Sequence, residues 1–184
     1  MERKIRTLAT LNAPSFSARL DEVRLRNGEI SKRIKMDHPE AAAVLAFVSP
    51  EKILMVRQYR YALGRETLEI PAGKVDPGEN PEECARRELM EETGYGAGEV
   101  RLLTTYAPAI GYSNELIHIF SAHGLKKTRE SIDEREISSI EILGLAEAKG
   151  LAERGEILDG KTLLALSMLK GGEVPGRIAA TKRS

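Results

Sequence analysis

Residues 80–94 constrain this chain more than any other stretch, because they specify a helix with both ends marked. Asn80 is a good N-cap, since its side-chain oxygen can accept from the orphan N–H groups of a first turn. Pro81 suits the first helical position, where no N–H is needed. Glu83 three residues after the cap completes a capping-box pattern, and Gly94 is a natural stop in the left-handed conformation. The spacing predicts a helix over 81–93. Ala85 and Leu89 give it an apolar arc that must pack on another element, while Arg86 and Met90 point roughly away. Glu88, Glu91 and Glu92 stand at i, i+3 and i+4 and share a face. Like charges so placed repel by about 0.2–0.5 kcal/mol per exposed pair. Three of them on one arc predict a cation there, and carboxylate oxygens suit a hard ion such as Mg²⁺. Arg87 flanks the arc and can orient a carboxylate by a bidentate contact. The plainer alternative is a solvated acidic face. Against it stands the loop ahead of the cap, where Gly73 and Gly78 frame Asp76-Pro77 and Glu79 precedes Asn80. Loop and helix together make a compact acidic pocket at a helix start.

The elements around this helix are short and mixed. Residues 16–37 read as a hairpin, with alternation at Val23 and Leu25, a type I′ turn at Asn27-Gly28, and alternation again at Ile34 and Met36. Ala41 to Val48 and Ile53 to Val56 are nearly all-apolar runs bounded by turn residues, as buried strands are. A short strand is expected at Thr67 to Ile70, others near 100–106, 115–121 and 139–143, and closing helices at Ala146 to Arg154 and Lys161 to Leu169. Strands and helices without regular βαβ alternation predict an α+β fold, a layered sheet flanked by helices. The expected organisation is an N-terminal hairpin region over 1–40, a main domain over 41–170 and a flexible tail over 171–184.

The segment 73–95 resembles the signature box of the Nudix hydrolases. That box is a glycine, five residues, Glu, seven residues, Arg-Glu, an aliphatic residue, any residue, Glu-Glu, any residue, Gly and an aliphatic residue. Gly73, Glu79, Arg87, Glu88, Leu89, Glu91, Glu92 and Gly94 all fall in register, and Tyr95 replaces the final aliphatic residue. The resemblance implies a mixed β-sheet sandwiched between helices. It implies divalent metals, Mg²⁺ with Mn²⁺ as the alternative, on Glu88, Glu91, Glu92 and the carbonyl of Ala72. It gives Glu91 and Arg87 places in the catalytic machinery and makes Glu79 a supporting residue. The reaction implied is hydrolysis of a diphosphate bond, with water attacking one phosphorus in line.

Upstream, Val56-Arg57-Gln58-Tyr59-Arg60 and Leu68-Glu69-Ile70-Pro71-Ala72-Gly73 resemble the ADP-ribose pyrophosphatase branch. Arg57 and Arg60, alternating along a strand, are natural phosphate or ribose contacts, or else surface charge on an edge strand. Glu69 is a ribose contact or only a turn cap. Downstream, Pro108-Ala-Ile-Gly-Tyr-Ser-Asn-Glu115 resembles a substrate loop of that branch, except that Ile110 sits where its marker proline is expected. Tyr112 is a candidate for stacking on a base or sugar, with core packing as its alternative. The acidic run Asp133-Glu134-Arg135-Glu136 aligns with the loop that supplies the catalytic base, which is then Glu134 or Glu136, with Glu134 preferred. The branch implies a homodimer sharing the N-terminal region. The substrate expected is ADP-ribose, split to AMP and ribose 5-phosphate, with GDP-mannose or a dinucleoside polyphosphate as the alternative.

Composition excludes several other classes. Twenty-eight basic and 28 acidic residues give a formal net charge of zero, so no nucleic acid is expected as partner. No apolar run approaches the roughly 20 residues of a membrane span, so no membrane is expected either. The single cysteine, Cys84, rules out an internal disulfide and fits the cytoplasm. It lies in the box helix, wrongly placed to protonate a substrate as in isomerases on this fold, and reads as a small buried filler. A non-catalytic nucleotide-sugar-binding module remains the rival from another class, although such modules usually lose box glutamates that this chain keeps. His38, His118 and His123 are too scattered for a structural zinc site.

Overall fold

A computed structural model describes residues 1–128 and 137–169. The N-terminal region is a three-stranded antiparallel sheet of β1 (Arg3–Asn12), β2 (Ser17–Arg24) and β3 (Ile30–Asp37), in the order β1-β2-β3. The β2–β3 hairpin stands where the alternation places it. Its turn differs from the expected type I′, because Gly28 alone has a positive φ, +91°, and Asn27 does not. Gly28 N–H donates to the Leu25 carbonyl and Leu25 N–H to that of Glu29, so the connection is longer than two residues. Asn27 instead accepts the Glu29 N–H on its side chain at 3.1 Å. The first strand is the surprise of this region. All ten of its residues are exposed, and its sequence carries no buried face from which a strand could be read.

The main sheet holds β4 (Ala41–Ser49), β5 (Lys52–Arg60), β6 (Arg65–Glu69), β7 (Ala72–Lys74), β9 (Glu99–Tyr106), β10 (Ile117–His123) and β12 (Ile137–Gly144). Its central order is β12-β5-β4-β10-β9, with β6 on β5 and β7 on β4. Only β4 and β10 run parallel. A two-stranded ribbon, β8 (Tyr95–Gly96) with β11 (Lys126–Lys127), stands apart.

Helix α1 (Pro81–Thr93) covers one face of the sheet, while α2 (Leu145–Glu153) and α3 (Gly160–Ser167) cover the other. The strands enforce this sandwich by alternation. Ala42, Val44, Ala46 and Leu54 pack with Cys84, Ala85 and Leu89 of α1. Ala41, Ala43, Leu45, Phe47, Ile53 and Met55 pack with Leu145 and Ala148 of α2 and with Ala165 and Leu166 of α3. A strand buried on both faces reads as a continuous apolar run, as β4 and the first half of β5 do.

What positions the site is a fork in the sheet. β4 pairs with β5 only at its far end, Ala46 to Ser49, and with β7 at its start, Ala41 to Ala43. β5 meanwhile turns its second half, Val56 to Arg60, onto β6. Between the two arms Pro71 gives its carbonyl to Val44 N–H. The cleft between the diverging strands lies beside the C-terminal half of α1.

Candidate active site

The box helix is built as its sequence dictates. The Asn80 side chain accepts from Glu82 N and Glu83 N at 3.0 Å, and Glu83 accepts from Asn80 N at 2.9 Å, which is the full capping box. Gly94 ends the helix at φ +75°. The preceding loop is tied to the helix through two residues. Glu79 accepts from Asp76 N at 3.0 Å, and Arg87 meets its carboxylate with Nε and Nη2, both at 2.9 Å. Arg87 also donates to Glu88 at 2.6 Å, to Glu91 at 3.1 Å and to the Lys74 carbonyl at 3.0 Å. It is the organiser of the box. The Arg87 pair holds the Glu79 carboxyl at about 2, and Glu79 in turn raises the Arg87 guanidinium.

A pocket of about 400 Å³ opens at the fork, and Glu88, Glu92, Ala72, Gly73 and Arg60 are among its lining residues. Glu92 is nearly buried and accepts from Ala72 N at 3.0 Å, which fixes the β7 backbone against the helix. Burial, and then the neighbouring Glu88, push its carboxyl up to about 8, against the pull of Ala72 N–H, Lys161 and Arg60. Burial also raises Glu88, over the opposing pull of Arg87. A buried and a half-buried carboxyl side by side, both raised by burial, with oxygen as their donor atoms, fit a divalent cation. Among the described residues no three acidic, His or Cys side chains suffice to hold a metal by themselves. A bound ion would take its remaining ligands from backbone oxygen, water and substrate, as Mg²⁺ commonly does.

Not every expected residue comes to this pocket. Glu91 is exposed, and its carboxylate is turned to Arg87 instead of joining Glu88 and Glu92. The i, i+3, i+4 rule shares a helix face among all three, but the sheet buries only the Glu88–Glu92 side. Arg57 pairs with Glu141 of β12 at 2.8 Å and does not line the pocket. It is three residues from Arg60, so the two-residue period of a strand sets them on opposite faces. Gln58, two residues from Arg60, is the pocket residue instead.

Glu69 is almost wholly buried and committed within the protein. Arg60 grips it with Nε at 2.7 Å and Nη2 at 2.5 Å, Thr67 donates to it at 2.6 Å, and Lys161 closes the set. Burial pushes this carboxyl up, but Arg60, Lys161 and Thr67 together hold it at about 2. Within the chain its carboxylate is engaged by these three side chains and not by a turn. Tyr112 is 54 % exposed, neither core nor pocket lining, and Ile110 beside it is open too. Glu134 and Glu136 lie outside the described residues, as does the tail over 171–184. Cys84 is buried filler whose thiol burial, Glu88 and Glu79 push up to about 12. Tyr95 packs half-buried against the α1 cluster.

Among the lining residues that sequence reading did not single out are His38, Gln58, Glu115 and Lys161. His38 and Glu115 arrive together, because β3 docks on the loop after β9. Met36 N–H donates to the Tyr112 carbonyl at 2.6 Å, and His38 N–H to Asn114 at 2.9 Å.

A family model of the NUDIX domain matches residues 37–166. The chain belongs to the Nudix family. This Nudix chain is 39 % identical over 171 residues to the "Methanol dehydrogenase activator" of Bacillus methanolicus, covering 92 % of each protein. It is 41 % identical over 153 residues to the "ADP-ribose pyrophosphatase" of Bacillus subtilis (strain 168), covering 82 % of this chain and 83 % of the relative. Among solved structures, an "ADP compounds hydrolase" superposes with a TM-score of 0.76 at 25 % identity, over 90 % of this chain and 92 % of the other. The expected α+β Nudix fold is thereby established, and so is the class of chemistry: a divalent-metal-dependent Nudix pyrophosphohydrolase acting on nucleoside diphosphate derivatives. No helix among the described residues is long and apolar enough to cross a membrane.

Proposed function

We propose that the substrate is ADP-ribose, hydrolysed to AMP and ribose 5-phosphate. The observation that carries this reading is the pairing, in one pocket, of buried Glu92 and half-buried Glu88, both carboxyls raised by burial, with the Arg60 guanidinium. A diphosphate needs a cation on its oxygens and a donor to orient it, and this pocket provides a place for both. The upstream Arg60 and Glu69 context and the Bacillus subtilis relative support ADP-ribose among such substrates. Glu88 and Glu92, with the Ala72 carbonyl, would hold Mg²⁺ (or Mn²⁺). When bound, the ion stabilises the diphosphate oxygens and acidifies water. Glu91 steadies Arg87, and Arg87 fixes Glu88 and Glu79. In the reaction one P–O bond to the bridging oxygen breaks and the oxygen of water bonds to phosphorus. Glu134 or Glu136 takes the proton of that water. Arg57 and Tyr112 are assigned to the substrate as well, at a site shared between the chains of a homodimer. The N-terminal region over 1–40 would form its interface, with 41–170 as the catalytic domain. The cytoplasm, which leaves a lone cysteine reduced, is the compartment this reading assigns.

The testing experiment is a phosphatase-coupled phosphate-release screen with Mg²⁺ over ADP-ribose, ADP-glucose, GDP-mannose, NADH, diadenosine polyphosphates and nucleoside triphosphates. Dominant turnover of ADP-ribose to AMP and ribose 5-phosphate is expected. Preference for another member of the panel overturns the substrate, and silence on all of them from folded, metal-loaded protein overturns the hydrolase reading. The Bacillus methanolicus relative, matched over 92 % of each chain, favours a second reading in which the chain activates a dehydrogenase. Methanol oxidation by such a dehydrogenase, assayed with and without this chain, separates the two.

A further inference from the structure

Lys161, the second residue of α3, has no role in the box, yet it lines the same pocket as Glu88 and Glu92. Its side chain is 8 % exposed, and lysines are almost never so buried unless paired. The partners are Glu69 and Asp159, the latter at 2.9 Å. Asp159 is itself fixed as the N-cap of α3, accepting from Thr162 N at 3.0 Å. Glu69, however, is already neutralised by the two-pronged contact from Arg60. One carboxylate therefore holds two cations, and all four of its lone-pair positions are taken. Arg60 and Lys161 are locked side by side, with Nη1 of the first and one N–H of the second unpaired among the described residues. Gln58, lining the same pocket, buries an Nε2 with no hydrogen-bond partner. Two cations held beside each other at the lining of one pocket, each with a donor left over, suit a ligand rich in oxygen and negative charge.

We propose that Lys161 is a substrate-contacting residue which, beside Arg60, binds the non-bridging oxygens of the diphosphate. This rests on the hydrolase reading above. It adds a cation carried on α3 to Arg60 and to the ion that Glu88 and Glu92 would hold. Glu69 acts as the bracket that sets the spacing of the two side chains.

The test uses Lys161→Met, which keeps length but not charge, and Lys161→Arg. Calorimetric titration of the magnesium-loaded protein with inorganic pyrophosphate is expected to show binding weakened at least tenfold in Lys161→Met and restored to within a few-fold in Lys161→Arg. Mg²⁺ affinity should be unchanged in Lys161→Arg, which keeps the charge that faces Glu92. In turnover the Met variant should raise KM at least tenfold more than it lowers kcat. A folded Lys161→Met protein that binds pyrophosphate within twofold of wild type overturns the proposal, as does wild-type protein that takes up none. If Lys161→Met does not fold, the ¹⁵Nζ resonance of Lys161 in wild type, assigned by its loss in Lys161→Arg, decides. It must shift on adding pyrophosphate, and a stationary resonance overturns the proposal. Pyrophosphate binding through Lys161 in a protein that hydrolyses no nucleoside diphosphate would sink the substrate reading alone.

Discussion

Gly73 has no side chain, and the space its Cβ would take belongs to Glu88, whose Oε1 would lie 1.9 Å from it. The glycine of the box is thus an allowance for a carboxylate, not for a turn. Gly73→Ala is expected to leave the melting temperature within a few degrees, because the displaced group is the free end of a long side chain. It should nonetheless lower turnover by about 100-fold or more, since a 1 Å misplacement of a catalytic group can cost that much. Steady-state kinetics and a thermal melt on the same sample check it. A large loss of stability with normal turnover of the folded fraction would refute this account of Gly73. The comparison with Glu92→Gln is informative, because that change removes a charge without moving the backbone. It should keep the fold and cut turnover by orders of magnitude.

At the scale of the element, α1 is where local rules and tertiary demand agree best. Its cap, its first-turn proline and its C-terminal glycine are all local features, and its observed span is the one they predict. The apolar arc of Ala85 and Leu89 is fully buried against β4. Asn80→Ala removes an acceptor that serves two N–H groups and is expected to cost about 1 kcal/mol of stability. Denaturant unfolding monitored by circular dichroism measures it, and a change below a few tenths would mean the tertiary contacts alone set the helix start. Strand β5 shows where element-level reading is easily misapplied. Its apolar run was legible, but beyond that run an odd spacing such as that of Arg57 and Arg60 divides two residues between faces. Counting by two would have paired Gln58 with Arg60 from sequence. Strand β1 could not have been found that way, because with both faces exposed it has no alternation to detect.

For the whole molecule, the shifted carboxyls set how stability follows pH. The Glu69 and Glu79 carboxyls, held at about 2, are depressed, so their contribution is present above their unfolded value near 4.5 and is lost as pH falls toward 2. Glu92, at about 8, is raised, so the folded protein binds its proton more tightly than the unfolded chain does. That contribution is present below about 4.5 and is lost as pH rises through 8. Metal-free protein is therefore expected to be most stable near pH 5 and to lose up to a few kcal/mol by pH 8. Thermal melts in EDTA across that range check it. Saturating Mg²⁺ should abolish the alkaline decline, since binding favours the deprotonated carboxylates, and Glu92→Gln should flatten it without metal. A melting temperature that does not change from pH 5 to pH 8 in EDTA would contradict the burial of Glu92.

The sequence by itself determined the box helix, its caps, the buried runs of β4 and β5, and the chemical type of the site, because each follows from spacing along a single element. The tertiary structure alone decided which carboxylates of α1 face the pocket, since burial beside the sheet selects Glu88 and Glu92 and leaves Glu91 to Arg87. It alone brought Lys161 to Glu69, 92 residues away, and His38 and Glu115 to the lining of the pocket. Contacts of that range depend on how strands diverge and how helices dock, and no local pattern encodes them.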